Sequence, residues 1–586
     1  MNTYLEKCHF ILKNEGIRGL IKKVDKKIFC KDISYNEWFI NNKPSENELD
    51  IQRQIKFKIR PLISIIVPTF NTPLNFLHEM IESLQKQTYT NWELCIGDGS
   101  GGNPLLEKEL NFLASEDKRI KYVILDKNRG ISGNTNCALG LAKGEYIALL
   151  DHDDFLAPQA LFRIVEALQE DEIDVFYTDE DFVSGDGKTH IFPILKPDYS
   201  EELLCSHNYI THFFVVRKEI ITTVGGFRSE YDGAQDYDII FRCLEIAKSV
   251  KHIQDILYHW RMHASSVAGD PESKNYAYEA GEKALEKHLY RIGESATIKR
   301  IDGLHGMYQP AFEIDENLSV SVVIANVEKE CDLEKEINDI YNNVKLKNIE
   351  IIIIDGRKVK EEYKNHKKLE NQYKNLKIDL WDKNDSYAQI NNYGANKTRG
   401  DYLLFLNSGL SPISGDAIRE MLGLCSRRGV GVVGAKVLYY DNTVRHAGIL
   451  LGGIKKIEYP FIGIDNFEDG YLQRPRINCN YSAVSGMCMM VSKKDFIEER
   501  GFNEYVNNGI SDVEFCYRII EHGKRVAYAA HSIWKTRKKI KKAYCIDSQL
   551  TEESKGFLKM ISNGEDPYYN KNFPLQSEPF SVIFKK

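Results

Sequence analysis

Short apolar runs alternate with amphipathic, helix-like stretches along most of the chain. This alternation predicts an α/β fold built largely from parallel strands. One apolar run, Tyr146–Leu150, has the length of a buried strand and is followed at once by Asp151, His152, Asp153 and Asp154. Since an unpaired buried carboxylate is costly, this cluster indicates a site that is neutralised by a cation, or by a ligand that brings one.

Two stretches of the chain match each other in order and spacing. The first begins with SIIVPTFN and the second with SVVIANVE, and the same polar landmarks follow each at equal or similar distances. The matching pairs are Ser64 and Ser321, Asp98 and Asp355, Asn136 and Asn392, Gly144 and Gly400, Asp236 and Asp512. Because unrelated α/β chains rarely share polar landmarks in register, we infer two related domains.

With 586 residues the chain is too long for a single core, which agrees with this repeat. We predict a helical leader segment at residues 1–60, a first α/β domain at 61–300 and a second at 318–545. A linker near 301–317 separates the domains, and a C-terminal tail occupies 546–586.

The composition narrows the class of protein. The chain is 42% hydrophobic and 28% charged, as is usual for globular proteins. Its net charge of −7 argues against a general nucleic-acid binder. No apolar run approaches the roughly 18–20 residues that a membrane span needs.

Two features predict a cytoplasmic protein. The start of the chain carries Glu6, Lys7 and His9, unlike a secretory signal. The twelve cysteines are scattered without a CxxC pair, which favours reduced thiols over a disulfide framework or a structural zinc site.

Residues 17–28 have apolar positions at helical spacing and several lysines on the other side. One interpretation is an interfacial helix that places the protein peripherally at the inner face of the cell membrane. The other is a helix that packs on the next domain and leaves its lysines in solvent.

The acidic run has a functional and a structural interpretation. Carboxylates at i and i+2, here Asp151 and Asp153, can reach one hard divalent cation, which in turn can bridge a diphosphate. Alternatively, Asp153 or Asp154 caps the helix that follows. A cap needs one carboxylate and the run supplies three, so we favour the cation site.

Two further aspartates are placed for chemistry. Asp98 follows the apolar run WELCI inside the glycine-rich turn GDGSGG, although Asp-Gly-Ser is also an ordinary turn. Asp236 lies where a helix begins, as either a cap or a general base that faces an acceptor hydroxyl. In open α/β sheets, ligands bind at the carboxyl ends of the strands, where these aspartates are expected.

In combination, these motifs resemble glycosyltransferase family 2, inverting enzymes with the GT-A fold. The matching pieces are ISIIVPTFN, GDGS, the DxD-type DHDD, QDYDIIFR and LYHWRMHASSVA. FYTDEDFVSGDGK, FPILKPDYSEELLCSHNYITH and the tail DPYYNKNF also resemble a bacterial subfamily that builds surface polysaccharides or adhesin glycans. The resemblance implies two tandem GT-A domains and covers nearly the whole chain from Tyr35.

The resemblance implies a nucleotide-sugar site in the first domain. Pro68 and Thr69 would line the nucleotide pocket, and Asp98 would read the nucleobase. Asp151 and Asp153 would form the DxD motif and hold Mn²⁺ or Mg²⁺, with Asp153 the more direct ligand.

The resemblance also implies the groups that act on the reacting bond. Asp236 would be the catalytic base. His259, Trp260 and Arg261 would close over the diphosphate, with His259 as an additional metal ligand. The chain departs from the family pattern at Gly97 and Gln235, which stand where many relatives carry an acid before Asp98 and Asp236.

The predicted activity is transfer of a sugar from a UDP- or dTDP-linked donor to a hydroxyl of an acceptor glycan carried on a lipid or protein. One alternative is a bifunctional transferase with two active domains. A second is a glycan-binding scaffold without catalysis, and a third is a nucleotidyltransferase, which would release pyrophosphate from a nucleoside triphosphate.

The second copy lacks groups that the first copy uses. Gly409 stands where the first copy has Asp153, and Ala325 and Asn326 replace Pro68 and Thr69. We therefore predict that the second domain is inactive or metal-independent, and that it binds acceptor glycan or mediates assembly.

Overall fold

The computed structural model describes residues 32–262, 275–326, 332–343, 345–356, 360–383, 386–452, 456–507, 509–537, 550–561, 565–573, 579–582 and 584–585. The stretch 17–28, considered above for membrane contact, lies outside these residues. Within them, no helix is both long and apolar enough to cross a membrane.

A nine-stranded mixed sheet forms the centre of the first half. Its strands are β2 (Ile63–Thr69), β3 (Trp92–Asp98), β4 (Ile120–Ile124), β5 (Tyr146–Leu149), β6 (Phe155–Leu156), β7 (Val175–Val183), β8 (His190–Ile194), β9 (Val215–Arg217) and β10 (Val250–Arg261). They lie in the order β4-β3-β2-β5-β9-β7-β10-β6, with β8 paired to β7. β4, β3, β2 and β5 are parallel, and β9 is antiparallel to both β5 and β7.

Helices cover both faces of this sheet. They are α1 (Tyr35–Asn42), α2 (Glu46–Gln54), α3 (Leu74–Gln85), α4 (Pro104–Glu116), α5 (Gly130–Leu141), α6 (Ala160–Ala167), α7 (Glu201–Leu204), α8 (Lys218–Thr223), α9 (Gln235–Leu244) and α10 (Asn275–Arg291). A short 3₁₀ helix occupies Ser229–Tyr231. Local sequence sets several of these boundaries: Ser45 and Glu48 form a capping box that starts α2.

A β-hairpin, β11 (Ala296–Arg300) and β12 (Tyr308–Phe312), leads into a second sheet of ten strands. Those strands are β13 (Val320–Asn326), β14 (Ile349–Asp355), β15 (Leu376–Leu380), β16 (Tyr402–Asn407), β17 (Leu410–Pro412), β18 (Val430–Leu438), β19 (Val444–His446), β22 (Cys479–Asn480), β23 (Cys488–Ser492) and β24 (Arg525–Thr536). The order is β15-β14-β13-β16-β23-β18-β24-β17. Strand for strand this is the order of the first sheet, so the predicted tandem fold is confirmed, while its residue boundaries stay a prediction.

The helices of the second half are α11 (Leu333–Asn343), α12 (Lys360–Lys368), α13 (Tyr387–Ala395), α14 (Ala417–Cys425), α15 (Lys493–Glu498), α16 (Ser511–Glu521) and α17 (Glu552–Ile561). Short 3₁₀ segments occupy Leu369–Asn371 and Tyr471–Arg476. Two small two-stranded sheets complete the fold: β20 (Leu450–Gly452) with β21 (Lys456–Glu458), and β1 (Asp32–Ile33) with β25 (Phe584–Lys585).

One hydrophobic cluster of the described residues spans both halves. Its buried aromatic side chains come from the first half, the second half and the C-terminal tail, for example Tyr177, Tyr528 and Phe573. Hydrogen bonds cross the same boundary: the Leu195 amide donates to the Tyr471 hydroxyl at 2.7 Å, and Asn570 Nδ2 donates to Asp179 Oδ2 at 2.7 Å. The halves are therefore packed as one body rather than joined only by their linker.

Candidate active site

Three parallel strands of the first sheet end at the same edge. Thr69 is the last residue of β2 and lies opposite Asp98, the last residue of β3. β5 runs parallel to β2 and ends at Leu149, so Asp151 emerges beside them. The sheet thus brings the predicted nucleobase-reading residue and the acidic run to one edge.

Asp98 is held by its neighbours. Its Oδ1 accepts hydrogen bonds from Thr69 Oγ1 at 2.8 Å and from Ser100 Oγ at 2.6 Å. The side chain is buried, and half-buried Pro68 precedes Thr69 on β2. Ser100 is an orienting residue that the sequence reasoning did not single out, although it belongs to the GDGS motif.

Helix α5 explains the glycine that precedes Asp98. A Cβ atom at Gly97 would lie 2.2 Å from the backbone oxygen of Asn134 on α5. A side chain at this position would therefore push the helix away from β3. The departure from the family pattern at Gly97 has a steric cause in this chain.

Asp151 faces the cleft beside other acids. Its side chain is 45% exposed, and its Oδ2 lies 3.9 Å from His212 Nε2. Burial against the cleft walls raises the pKa of Asp151 to about 7, and the charges of Asp153 and Asp236 act in the same direction. Asp236 is therefore close enough to Asp151 for its charge to act on that carboxyl group.

Asp154, by contrast, is a structural residue. Its Oδ2 accepts from the Tyr258 hydroxyl at 2.6 Å and its Oδ1 from the Arg261 amide at 2.8 Å. Burial raises the pKa of Asp154 well above its usual range, with Asp153 and Asp151 adding to the effect. The acidic run is thus divided, with Asp154 tying the loop to β10.

Neither Asp153 nor Asp154 caps the helix that follows. α6 begins at Ala160, and its N-cap residue is Gln159, whose side chain makes no capping hydrogen bond. The capping interpretation of Asp153 or Asp154 is therefore wrong, because strand β6 and residues 157–159 separate the acidic loop from the first turn.

Asp236 is the second residue of α9, whose N-cap residue is Ala234. Its Oδ1 accepts from the Tyr237 amide at 2.9 Å, and its Oδ2 accepts from Asn208 Nδ2 at 3.0 Å. Burial raises the pKa of Asp236, and these donors offset part of the rise. A fixed carboxylate with a raised pKa, at the positive end of a helix, has the properties of a general base.

The end of β10 supports the acidic loop. Arg261 is buried; its Nε donates to the Asp153 backbone oxygen at 2.7 Å, and its Nη2 lies 2.6 Å from Glu79 Oε2. Trp260 packs against Phe182, with ring centroids 5.2 Å apart. Arg261 thus holds the loop that carries Asp153.

His259 lies in a different cluster from Asp151. Its Nδ1 is 2.6 Å from Asp181 Oδ1, and His190 Nδ1 lies 2.6 Å from the other oxygen of the same carboxylate. The structure therefore does not place His259 with Asp151, the first residue of the DxD motif.

His212 takes the place beside the carboxylates instead. It forms a compact group with Asp151 and Asp154, whose ligand atoms all lie within 4.8 Å of one another. Its ring stacks on Tyr258 at 4.5 Å. Burial lowers the pKa of His212 to about 3, and Lys196 adds to this, so the ring is neutral. The only signal for it in the sequence was its position at the end of the motif NYITH.

The second half keeps this edge of the sheet but lacks the acidic run. Counted from the matched glycines, Asn407, Gly409 and Leu410 occupy the places of Asp151, Asp153 and Asp154. Trp534 pairs with Pro412 of β17 as Tyr258 pairs with Leu156 of β6. Leu410 and Trp534, at the places of Asp154 and Tyr258, belong to one buried apolar cluster. The register also shows that β24 is the counterpart of β10, which the sequence did not reveal.

Two aspartates of the second half remain in equivalent places. Asp355 Oδ1 accepts from Asn326 Nδ2 at 3.1 Å, and its Oδ2 lies 2.7 Å from His366 Nδ1. Asp512 is the second residue of α16, and its Oδ2 accepts from the Gly486 amide at 2.7 Å. The losses are thus concentrated at the place of the DxD motif.

Sequence comparison decides the family. Residues 64–225 and 321–498 both match Glycosyl transferase family 2. The chain belongs to this family. The two halves of this family 2 protein are tandem GT-A domains. Each match covers most strands of one sheet and ends before its last long strand, β10 or β24.

Among curated relatives, an uncharacterized protein, y4gI of Sinorhizobium fredii, is 33% identical over 469 residues, covering 78% of this chain and 51% of the relative. The O-antigen biosynthesis protein RfbC of Myxococcus xanthus is 29% identical over 504 residues, covering 85% and 39%. Chondroitin synthase of Pasteurella multocida is 27% identical over 399 residues, covering 57% and 40%. The chain spans about half or less of the length of these relatives.

Among solved structures, S. aureus TarS 1–349 in complex with UDP-GlcNAc aligns with a TM-score of 0.32 and 20% identity, covering 39% of this chain and 66% of that one. The family 2 assignment rests on the sequence match and on the strand order, not on this alignment.

Proposed function

We propose that the first half of this family 2 glycosyltransferase is a metal-dependent, inverting sugar transferase that uses a UDP- or dTDP-linked donor. The proposal is supported by the proximity of three acids: Asp151, beside the carboxyl ends of the parallel strands, feels the charges of both Asp153 and Asp236. These acids fall into the two roles that transfer requires, a cation site beside the diphosphate and a base beside the acceptor.

The carboxylates of Asp151 and Asp153 are suited to binding a divalent cation. The pKa of Asp151 is raised to about 7 by burial and by the charges of Asp153 and Asp236, and all three causes act in one direction. A cation at Asp151 and Asp153 would relieve this repulsion, and carboxylate oxygens are ligands that Mg²⁺ and Mn²⁺ prefer. Bound there, the ion would neutralise charge on the departing nucleoside diphosphate. We place neutral His212 as a further ligand or as a contact to the diphosphate.

The residues of the chain supply the remaining steps. Thr69 and Ser100 fix the Asp98 carboxylate for contact with the nucleobase. Asp236 accepts the proton of the acceptor hydroxyl as that oxygen bonds to the anomeric carbon, on the face opposite to the breaking bond to phosphate. Positioning and electrostatics carry most of the rate in such a displacement.

We infer that the acceptor is a glycan of a bacterial surface polysaccharide or glycoprotein, carried on a lipid or on protein. The support is that relatives include proteins named for O-antigen biosynthesis and chondroitin synthesis.

For the second half we propose a role without metal-dependent transfer. Asn407, Gly409 and Leu410 supply no carboxylate at the place of the DxD motif. A bifunctional enzyme is the main competing proposal, supported by the retention of Asp355 and Asp512.

The test is a screen of UDP-N-acetylglucosamine, UDP-glucose, UDP-galactose and dTDP-rhamnose for Mn²⁺-dependent release of nucleoside diphosphate. Asp153→Ala should lower release by about 10²–10³-fold, as expected for loss of one electrostatic contact in the transition state. Asp512→Ala, which changes the aspartate that the second half retains at the place of Asp236, should leave release within about twofold.

Pyrophosphate release from a nucleoside triphosphate would instead support a nucleotidyltransferase. A distinct transfer that Asp512→Ala abolishes and Asp153→Ala spares would show that the second half is itself an active transferase.

A further inference from the structure

The segment from Leu195 to His212 reaches the cleft with one end and the second half with the other. At the cleft end, Asn208 Nδ2 donates to Asp236 Oδ2 at 3.0 Å, and His212 lies beside Asp151. Its middle part contains α7, which packs on β22 of the second sheet. We call these residues the 195–212 segment.

A buried ion-pair network fixes α7 to the second half. The Glu202 side chain is fully buried and lies 3.0 Å from Arg427 Nη1 and 3.1 Å from Arg525 Nη2. Arg427 also contacts Glu201 at 2.8 Å and Glu294 at 2.8 Å, with its side chain only 2% exposed. Burial alone would raise the pKa of Glu202, but the two arginines hold it below its usual value.

Two serines add hydrogen bonds to the same face. Ser200 Oγ donates to Asn480 Oδ1 at 2.8 Å, and the Glu202 amide reaches the same oxygen at 3.3 Å. Ser206 Oγ donates to the Asn478 backbone oxygen at 2.9 Å. Ser206 is two residues from Asn208, so this contact with the second half is close to the end of the segment that reaches Asp236.

The segment is also braced internally. Lys196, which is fully buried, lies 3.1 Å from Glu180 Oε2 and donates to the Ile210 backbone oxygen at 2.7 Å. The Thr211 hydroxyl donates to Glu180 at 3.1 Å. The Ser200 amide donates to the Tyr209 hydroxyl at 2.9 Å. These bonds connect the Lys196–Ser200 end of the segment to Tyr209 and Ile210, next to Asn208.

We propose that the second half positions Asn208 against the Asp236 carboxylate by holding the 195–212 segment, with Asn480 as a positioning residue. The catalytic consequence rests on the proposed function of Asp236 as base. This role depends on β22, Arg427 and Arg525. It does not involve the edge of the second sheet that corresponds to the proposed nucleotide site of the first. It accounts for a second domain that keeps its fold while lacking the carboxylates of the DxD motif.

The structural part is tested by hydrogen–deuterium exchange on the full chain. Asn480→Ala removes the hydrogen-bond acceptor of Ser200, and Ser206→Ala removes the hydrogen bond from Ser206 to the Asn478 backbone oxygen. Each should speed exchange of the amides of residues 206–212 by about fivefold, since one buried hydrogen bond is lost. Asn392→Ala is the matched control, because Asn392 bonds to Phe502 within the second half and does not reach the segment.

The catalytic part is tested by steady-state kinetics with the sugar nucleotide that the screen identifies. Asn480→Ala should lower kcat by about ten- to a hundredfold, as small misplacements of reacting groups do. The KM for the donor and the affinity for UDP with Mn²⁺ should stay within about twofold, because Asp98, Asp151 and Asp153 are untouched. Asn392→Ala should change none of these values.

Equal exchange in wild type and Asn480→Ala would overturn the proposal, as would an equal effect of Asn392→Ala. Faster exchange with unchanged kcat would overturn the positioning of Asn208. If the wild-type protein turned over no sugar nucleotide, the proposed function would fail, while the exchange experiment would still decide whether the second half holds the segment.

Discussion

Asp151, Asp153 and Asp154 are neighbours in the chain, yet their surroundings differ. Asp154 is enclosed by Tyr258 and the Arg261 amide, whereas Asp151 faces the cleft with nearly half of its side chain exposed. Asp236 lies across the cleft at the start of a helix. At the scale of single residues, function therefore depends on which carboxylate is left accessible and on what fixes the one that accepts a proton.

Asp236→Asn removes the proposed base and keeps its shape. We expect kcat to fall by about 10²–10⁴-fold, the usual contribution of general base catalysis. Binding of UDP with Mn²⁺, measured by calorimetry, should change by less than about threefold, since Asp98, Asp151 and Asp153, the residues proposed to bind the donor, are unchanged. Asp512→Asn is the control in the second half and should keep full kcat. A kcat of Asp236→Asn near the wild-type value would remove Asp236 from the mechanism.

The pH dependence of kcat should show the environment of Asp236. Burial raises its pKa above 3.8, the value of an ordinary aspartate, and the base acts only when deprotonated. Activity should thus be present above the raised pKa and fall as the pH drops through it.

Asn208→Ala should move this acid limb to higher pH, because it removes a hydrogen bond to the charged form. Rate profiles of both proteins from pH 4 to 8 measure the shift, and a limb that moved to lower pH would contradict the assignment.

At the scale of elements, close packing of α5 on β3 sets the shape of the nucleotide edge. The contact is so close that the backbone of Asn134 occupies the space of a side chain at Gly97. In the same helix, a Cβ at Gly140 would meet nothing within 4 Å. A side chain is therefore excluded at Gly97, whereas the space beside Gly140 is open.

Gly97→Ala should lower the free energy of unfolding by about 1–3 kcal/mol, because an overpacked contact forces the helix to shift. Gly140→Ala should leave stability unchanged or raise it by up to about 1 kcal/mol, since alanine favours a helix interior. Urea unfolding of both variants gives the comparison. A tolerated Gly97→Ala would mean that α5 can move without loss.

Several of these elements could be predicted from sequence, because their signals are local. Asp98 and Asp151 follow apolar runs, and Asp236 lies in a repeated motif, so their placement at strand and helix ends was predictable. The partner of Asp154 was not, since Tyr258 is brought to it only by the pairing of β6 with β10. The separation of His259 from Asp151 likewise depends on its contact with Asp181 of β7.

At the scale of the whole molecule, the two GT-A domains behave as one body. The sequence showed the repeat but not the interface, because an arginine in one half and its acidic partners in the other carry no spacing signal. Arg427 lies among Glu201, Glu202 and Glu294 with almost no exposure. Such a buried network is costly to break when only one partner is removed.

Arg427→Ala should therefore lower the free energy of unfolding by about 3–5 kcal/mol, because buried carboxylates lose their counter-charge. Arg419→Ala breaks an ion pair with Glu316 whose groups are more than one-third exposed, and should cost about 0–1 kcal/mol. Thermal unfolding by calorimetry should also show one transition for the wild-type chain. Two separate transitions, with Arg427→Ala affecting neither, would mean that the halves are independent.

The backbone at Gly409 limits how the second half could ever regain the lost chemistry. Gly409 has a φ of +85°, in the region that favours glycine, and its amide donates to Glu336 Oε2 at 2.9 Å. The next residue, Leu410, and Trp534 of β24 are both buried apolar side chains. An aspartate at position 409 would strain the main chain and place a charge beside buried apolar side chains. Regaining a metal-binding carboxylate at this position would therefore require several changes together.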